Sequence, residues 1–218
     1  MSTSSTRPAS AAAAVVARHP EVVAADRAGA AGRVQAWVCG CGLGTDERAA
    51  VELRTVLAGA VPAVLDADAI TLLVDGGMAR DLRGRDAPLV LTPHDGEFAR
   101  LAGEAPGADR VGAALRLAAW TNAVVLLKGH RTIVAAPSGE AWVNPTGTPE
   151  LATAGTGDVL AGLIGSLLAA GLPPVRAATL AAYAHGAAGA RAGRAGPVRA
   201  SDVAAALRPA LRALLAAD

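Results

Sequence analysis

The segment A-T-A-G-T-G-D-V-L, residues 152–160, places glycines, threonines and an acid where an apolar helical pattern begins. Glycine lets a backbone approach an anion closely and turn into a helix. The first free N–H groups of such a helix face the anion, with the helix dipole behind them. Asp158 sits in the first turn. A phosphate repels it, but a hydroxyl whose proton must be removed does not, so the segment suits a phosphate beside a general base. Standing alone, Asp158 reads equally well as an acid that stabilises a helix N-terminus.

Four other segments shift that balance. Residues 40–46, G-C-G-L-G-T-D, form a glycine-rich strand-to-helix turn that matches neither a dinucleotide fingerprint nor a Walker loop. It can admit a flat or phosphorylated ligand, or serve as a tight turn capped by Thr45 or Asp46. Residues 92–97, T-P-H-D-G-E, gather an imidazole and two carboxylates behind a strand. His94 can bond a ligand amide or phosphate. Glu97 either orders a water-coordinated Mg²⁺ or is a first-turn helix acid. Lys128, Gly129, His130, Arg131 and Thr132 put cations and donors beside a glycine, which suits a nucleotide phosphate or an exposed basic hairpin turn. Asp66 and Asp68 alternate at a strand end, Asp66 as a carboxylate bordering the site and Asp68 as a helix cap. His19 has no visible partner, and His185 reads as helix packing. Cys39 and Cys41 have no second pair to complete a metal site, so small residues packing at a strand end describe them best.

Doubly wound elements position these segments. Strands are predicted at 33–40, 62–66, 88–92 and 123–128, with a hairpin at 131–135 and 140–144. Helices are predicted at 46–58, 68–74, 96–102, 108–121, 157–170, 173–192 and 201–216, the last capped by Ser201 or Asp202. Alternation of this kind gives an α/β fold with a mostly parallel sheet, in which ligands bind beyond the carboxyl ends of the strands. Four of the polar segments fall there, and the fifth, residues 153–158, opens a helix. Residues 1–33 are poorly patterned, with a helix expected at 11–18, and no linker divides the chain, so 1–218 reads as one domain.

The chain has 218 residues, enough for one α/β core. Hydrophobic residues make up 52%, largely alanine, and aromatics 2%, so the core must close by tight packing of Ala, Val and Leu. A net charge of +1 gives no reason to expect nucleic acid or an acidic membrane as partner. No apolar run reaches spanning length, and the Ser/Thr-rich start lacks the order of a signal peptide, which points to a cytoplasmic protein.

The series C-G-C-G-L-G-T-D, V-L-D-A-D-A-I, L-T-P-H-D-G-E-F-A-R-L, L-L-K-G-H-R-T and V-N-P-T-G-T-P-E-L-A-T-A-G-T-G-D-V-L-A-G resembles the ADP-dependent NAD(P)H-hydrate dehydratases over residues 34–190. T-P-H-x-G-E followed by G-T-G-D-V-L is the specific combination. The resemblance implies a ribokinase-like three-layer α/β/α fold. It implies dehydration of the S-form of NADH or NADPH hydrate, with ADP converted to AMP and Mg²⁺ on the phosphates. Lys128, Gly129, His130, Arg131, Thr132 and Gly157 would hold the nucleotide, Gly44, His94 and Asp158 the hydrated dinucleotide, and Asp158 would be the base. An NAD(P)H-hydrate epimerase is the usual companion, and such enzymes commonly form homo-oligomers. The chemistry is coherent, because phosphorylating a hydroxyl turns a poor leaving group into a good one.

Several positions depart from the family pattern. Cys41 replaces a proline of G-P-G-L-G, Asp95 replaces a proline of T-P-H-P-G-E, and His130-Arg131 replace small residues. The family's first strand, glycine-rich loop and helix are not recognisable before residue 34. Two other readings follow: a small-molecule kinase of the same fold acting on a hydroxymethyl-pyrimidine, thiazole alcohol or sugar, and a nucleotide-binding remnant without activity.

Overall fold

Short apolar runs set up the sheet. Trp-Val-Cys, Ala-Val-Leu and Leu-Val-Leu form β1 (Trp37–Cys39), β2 (Ala63–Leu65) and β3 (Leu89–Leu91), all parallel. β4 (Val124–Leu127) adds a fourth parallel strand, and Cys39, Leu65, Leu91 and Val125 lie side by side across the four. The hairpin of β5 (Ile133–Ala135) and β6 (Ala141–Val143) then reverses direction, giving the spatial order β1-β2-β3-β4-β5-β6. Each strand is shorter than its sequence pattern predicts, β1 mostly at its amino end, while Asp66 N–H and Thr92 N–H still donate to the Cys39 and Leu65 carbonyls just past β2 and β3.

The computed structural model describes residues 11–216; the Ser/Thr-rich start, residues 1–10, lies outside them. The chain divides into two units, residues 1–34 and 35–218. In the first, α1 (Ala11–Arg18) occupies the predicted span and a 3-10 turn follows at Ala28–Ala30.

In the second unit helices flank both sheet faces. Val64, Val90, Val124, Leu126 and Val134 point to one face, where they pack on α6 (Thr156–Ala169) and α7 (Pro174–Gly193). The alternate residues point to the other. There α2 (Glu47–Ala58) packs on β1 and α5 (Arg110–Thr121) on β4 and β5, while α3 (Asp68–Asp75) packs on α2 and on α4 (Asp95–Ala102). α8 (Ala200–Leu215) lies on α7 and α6. No described helix is long and apolar enough to cross a membrane.

The alanine-rich composition has a visible purpose in α7. Its residues Ala177, Ala178, Ala181, Ala184 and Ala188 are fully covered. Gly186, Gly189 and Gly193 share one face, against which the segment around Thr146, Glu150 and Leu151 lies directly. A methyl group on Gly186 would sit 2.2 Å from Thr146 Oγ1, and one on Gly189 would sit 2.6 Å from a Leu151 methyl.

Two capping expectations are corrected. Asp68 is the first residue of α3 and not its cap; Ala67, at φ 46, holds that place. The Asp68 carboxylate instead accepts from Gly44 N–H at 2.8 Å, anchoring the glycine-rich loop. At α8 the cap residue is Arg199, and Asp202 reaches back to accept from Arg199 N–H at 3.0 Å.

Candidate functional site

Because β2, β3 and β4 run parallel and in register, the residues just past their ends are neighbours. Asp66 follows β2, Thr92 follows β3 and Lys128 follows β4. Asp66 is 1% exposed. Its Oδ1 accepts from Lys128 Nζ at 2.7 Å and from Thr92 Oγ1 at 2.8 Å. Lys128 Nζ also lies 3.6 Å from Glu97 Oε2. A buried carboxylate needs such donors, since an uncompensated charge in the interior is costly.

Glu97 and His94 build the start of α4 reciprocally. His94 Nδ1 accepts from Gly96 N–H (3.0 Å) and Glu97 N–H (3.2 Å), while Glu97 Oε2 accepts from His94 N–H at 2.8 Å. This is a capping box with an imidazole in place of the usual hydroxyl. With Nδ1 committed as acceptor, Nε2 is the ring's donor, and it lies 3.4 Å from Glu97 Oε1.

A second cation stands behind the loop after β4. Arg110 donates to Asp95 at 2.8 Å and to the Lys128 carbonyl at 3.1 Å. A methyl group on Gly129 would meet that guanidinium at 2.8 Å, so the glycine lets Arg110 brace the loop.

After β1, Gly40 takes φ +123 and passes so close to β2 that a Cβ would fall 1.8 Å from the Asp66 carbonyl oxygen. The turn brings Cys41 Sγ to 4.0 Å from Asp66 Oδ2. Cys41, Asp66 and Asp158 have ligand-type atoms within 4.8 Å of one another. Burial of the sulfur, then the charges of Asp66 and Asp158, push the Cys41 thiol up to about 12 despite Lys128 nearby. The thiol is therefore a protonated donor to carboxylates. Burial, followed by the charge of Glu52, raises Cys39 to about 11.

The start of α6 completes the site. Gly155 caps it at φ +84, and the Thr156 hydroxyl bonds to the Leu151 (2.6 Å) and Thr153 (2.8 Å) carbonyls, tying the preceding turn to the helix. Gly157 presents its backbone to the ion pair: a Cβ there would lie 3.6 Å from Lys128 Nζ and 3.8 Å from Asp66 Oδ2. Asp158 is exposed in the same first turn.

Beside this corner opens a cavity of about 550 Å³, within the range of small-ligand sites. His94, Lys128, Gly129, His130, Thr132 and Gly157 line it, so it gathers most of the sequence-predicted nucleotide residues. Gly44, Arg131 and Asp158 are not part of its lining; Gly44 lies in the tethered loop after β1 and Arg131 is exposed. The far wall is apolar, with Pro149, Leu151, Leu160 and Ala182.

Sequence reasoning missed two residues of that wall. His185, expected only as packing, is 6% exposed and lines the cavity, as does Thr148. Burial lowers the His185 pKa, partly offset by a hydrogen bond to the Thr156 backbone. A signal existed for His185, since an imidazole on an all-alanine helix face has little else to pair with. Thr148 carried none.

Comparison with known proteins shows the family. A bifunctional NAD(P)H-hydrate repair enzyme of Mycobacterium tuberculosis is 56% identical over 165 residues, covering 75% of this chain and 34% of the relative. An ADP-dependent (S)-NAD(P)H-hydrate dehydratase of Neisseria meningitidis is 46% identical over 182 residues, covering 80% of this chain and 62% of the relative. The chain thus spans about a third of the length of the bifunctional relatives it matches. The crystal structure of the ADP/ATP-dependent NAD(P)H-hydrate dehydratase of Bacillus subtilis, co-crystallised with ATP/Mg²⁺ and soaked with CoA, superposes with a TM-score of 0.73. It is 32% identical, with 83% of this chain and 67% of that chain covered, and the fold is ribokinase-like. The family model described as NAD(P)H-hydrate dehydratase matches residues 4–207, and the chain belongs to that family.

Proposed function

We propose that the chain dehydrates the S-form of NADH or NADPH hydrate at the expense of ADP. The observation that carries the reading is the convergence of an exposed acid, Asp158, a helix start and the Asp66–Lys128 pair at one end of a nucleotide-sized cavity. The diphosphate lies along Lys128, Gly129, His130, Arg131, Thr132 and Gly157, where backbone donors and a cation meet it. The hydrated ring lies on the open side, between Gly44, His94 and Asp158. Asp158 takes the proton of the ring hydroxyl, whose oxygen attacks the terminal phosphorus of ADP, and AMP leaves. The phosphate ester then departs as phosphate, the neighbouring carbon gives up a proton, and the ring double bond is restored.

Mg²⁺ does not fit the protein side of the site. Glu97 is committed to His94 and Lys128, and Asp66 to Lys128 and Thr92. Among the described residues the one close group of possible ligands includes a thiol, unlike the oxygen shell that Mg²⁺ prefers. Any Mg²⁺ in the reaction is accordingly assigned to the nucleotide phosphates. A cytoplasmic setting and a homo-oligomeric state belong to the same proposal, as does an epimerase as functional companion, which the bifunctional names of relatives support.

The test supplies S-form NADPH hydrate, ADP and Mg²⁺ and follows the near-ultraviolet absorbance of the dihydronicotinamide ring. Recovery that requires ADP and releases AMP is the expected result. No recovery, together with phosphorylation of a simple alcohol by ATP, would overturn the reading in favour of a kinase.

A further inference from the structure

One buried oxygen beside the start of α6 is short of a donor. Asp66 is 1% exposed, and its Oδ1 accepts from both Lys128 and Thr92. Among the described residues its Oδ2 meets only the Cys41 thiol, at 4.0 Å. A buried acceptor held by so long a contact marks the place of a missing partner. Charge points the same way. Asp66, Glu97 and Asp158 bring three carboxylates to this corner, and Lys128 shares one ammonium between Asp66 and Glu97. Arg110, behind the loop, is committed to Asp95 and the Lys128 carbonyl.

The groups around Asp66 Oδ2 are of metal-binding type. They come from three separate segments: Cys41 after β1, Asp66 after β2 and Asp158 in the first turn of α6. Their ligand atoms lie within 4.8 Å of one another. A four-coordinate ion bound to sulfur at about 2.3 Å and to oxygen at about 2.0–2.2 Å sets its ligand atoms roughly 3.5 Å apart, so an inward shift of about 1 Å closes the shell. Asp158 is exposed, which gives an ion entry, and Cys41 stands between two glycines. Lys128 keeps Oδ1 and leaves Oδ2 free. A thiolate and two carboxylates against one ammonium leave two negative charges, which one divalent cation cancels. Sulfur among the ligands selects a thiophilic ion over Mg²⁺ or Ca²⁺.

We infer that Cys41, Asp66 and Asp158 form a binding site for one thiophilic divalent cation of the Zn²⁺ class, with water as the fourth ligand. Binding forms a metal–sulfur bond and releases the thiol proton to solvent. Cys41 stands where the family pattern has a proline, which offers no ligand, so the site is a property of this chain. An ion held there occupies Asp158 and stops turnover. That consequence rests on Asp158 as the base, and the binding does not.

Titration of the full chain with Cd²⁺, followed by the ultraviolet charge-transfer band of a cadmium–thiolate bond, tests it in wild type, C39A, C41A and D158N. The chain has two cysteines, so the band reports one or the other. One Cd²⁺ per chain is expected, with a band kept in C39A and lost in C41A. Zn²⁺ removes the band by competition and excess Mg²⁺ does not. Asp158 is exposed, so D158N should fold, and it should lower Cd²⁺ affinity on the order of tenfold or more, since even the partners of a metal ligand are worth roughly 10–100-fold. No band at saturating Cd²⁺, a band that persists in C41A, or D158N affinity within about twofold of wild type overturns the site. Zn²⁺ should also inhibit ADP-dependent recovery of the dihydronicotinamide, and a bound ion without inhibition overturns the regulatory consequence. A chain that binds Cd²⁺ through Cys41 but never dehydrates the hydrate overturns the activity reading and leaves the site standing.

Discussion

Replacing Lys128 with methionine strips the Asp66 carboxylate of its cation and leaves it 1% exposed with two neutral donors, the Thr92 hydroxyl and the Cys41 thiol. Glu97 loses the same ammonium. Removing one partner of a buried pair costs about 3–5 kcal/mol, because the remaining charge is uncompensated. Thr92 still bonds Asp66, and the Lys128 side chain keeps 20% of its exposure, so the low end, about 3 kcal/mol, applies. With a urea slope of roughly 2–3 kcal/mol/M, the midpoint falls by about 1 M. The double variant D66N/K128M removes both ions, and the amide oxygen of Asn can still accept from Thr92. Its stability is expected to return to within about 1 kcal/mol of wild type, while ADP binding stays weak because the phosphate cation is missing. Urea melts followed by circular dichroism, paired with ADP titrations, give both readings. A K128M loss below about 1 kcal/mol, or a double variant no more stable than K128M, would refute the view of Asp66–Lys128 as a coupled buried pair.

Further outcomes follow from the same geometry. Asp158→Asn should keep ADP binding and lose turnover by roughly a hundredfold or more in single-turnover assays; full activity would remove Asp158 as the base. Gly40→Ala should cost on the order of 3 kcal/mol, since the new methyl would collide with the Asp66 carbonyl at a positive φ; an unchanged urea midpoint would contradict that close approach. With its thiol near 12, Cys41 should react with iodoacetamide at about pH 8 roughly a thousandfold more slowly than a free cysteine, and rapid labelling seen by mass spectrometry would show that the carboxylates do not face it. The His185 pKa is lowered on folding, so the unfolded chain binds the extra proton first. Stability is then full above the ordinary value of 6.5 and declines as pH falls below it, and H185L should flatten that part of the urea midpoint profile.

The strands, the mostly parallel sheet and the five polar segments were legible because apolar runs, glycines and acids alternate along the chain. Which segments touch was not. Asp66 and Lys128 are 62 residues apart and meet only because β2, β3 and β4 are parallel and in register, a pairing that no local spacing records. Local chemistry also misled where one residue type has two uses. His94 and Glu97, read as ligand groups, also cap α4 reciprocally, with His94 Nε2 3.4 Å from Glu97 Oε1. Asp68 read as a cap and proves to tether the Gly44 loop. Asp158 was readable because an acid one residue after G-T-G can only lie in the first turn of the helix. Thr148 stayed hidden because its place in the cavity wall exists only once that wall is built, whereas His185 stood out as an imidazole on an alanine helix face.

The glycine face of α7 bears on how the cavity behaves when it fills. Where Gly186 and Gly189 meet Thr146 and Leu151, the supporting surface is main chain and alanine, with few side-chain torsions to freeze. Ala and Gly surrender almost no rotamer entropy, so ordering them on ligand capture costs little. Much of the binding energy usually spent on immobilising a wall remains available for discrimination. The segment seated on that face, which carries Thr148 and Leu151 to the cavity, should show nearly the same backbone amide exchange with and without ligand, and its tolerance to substitution should be set by volume: one added methyl on the face displaces it.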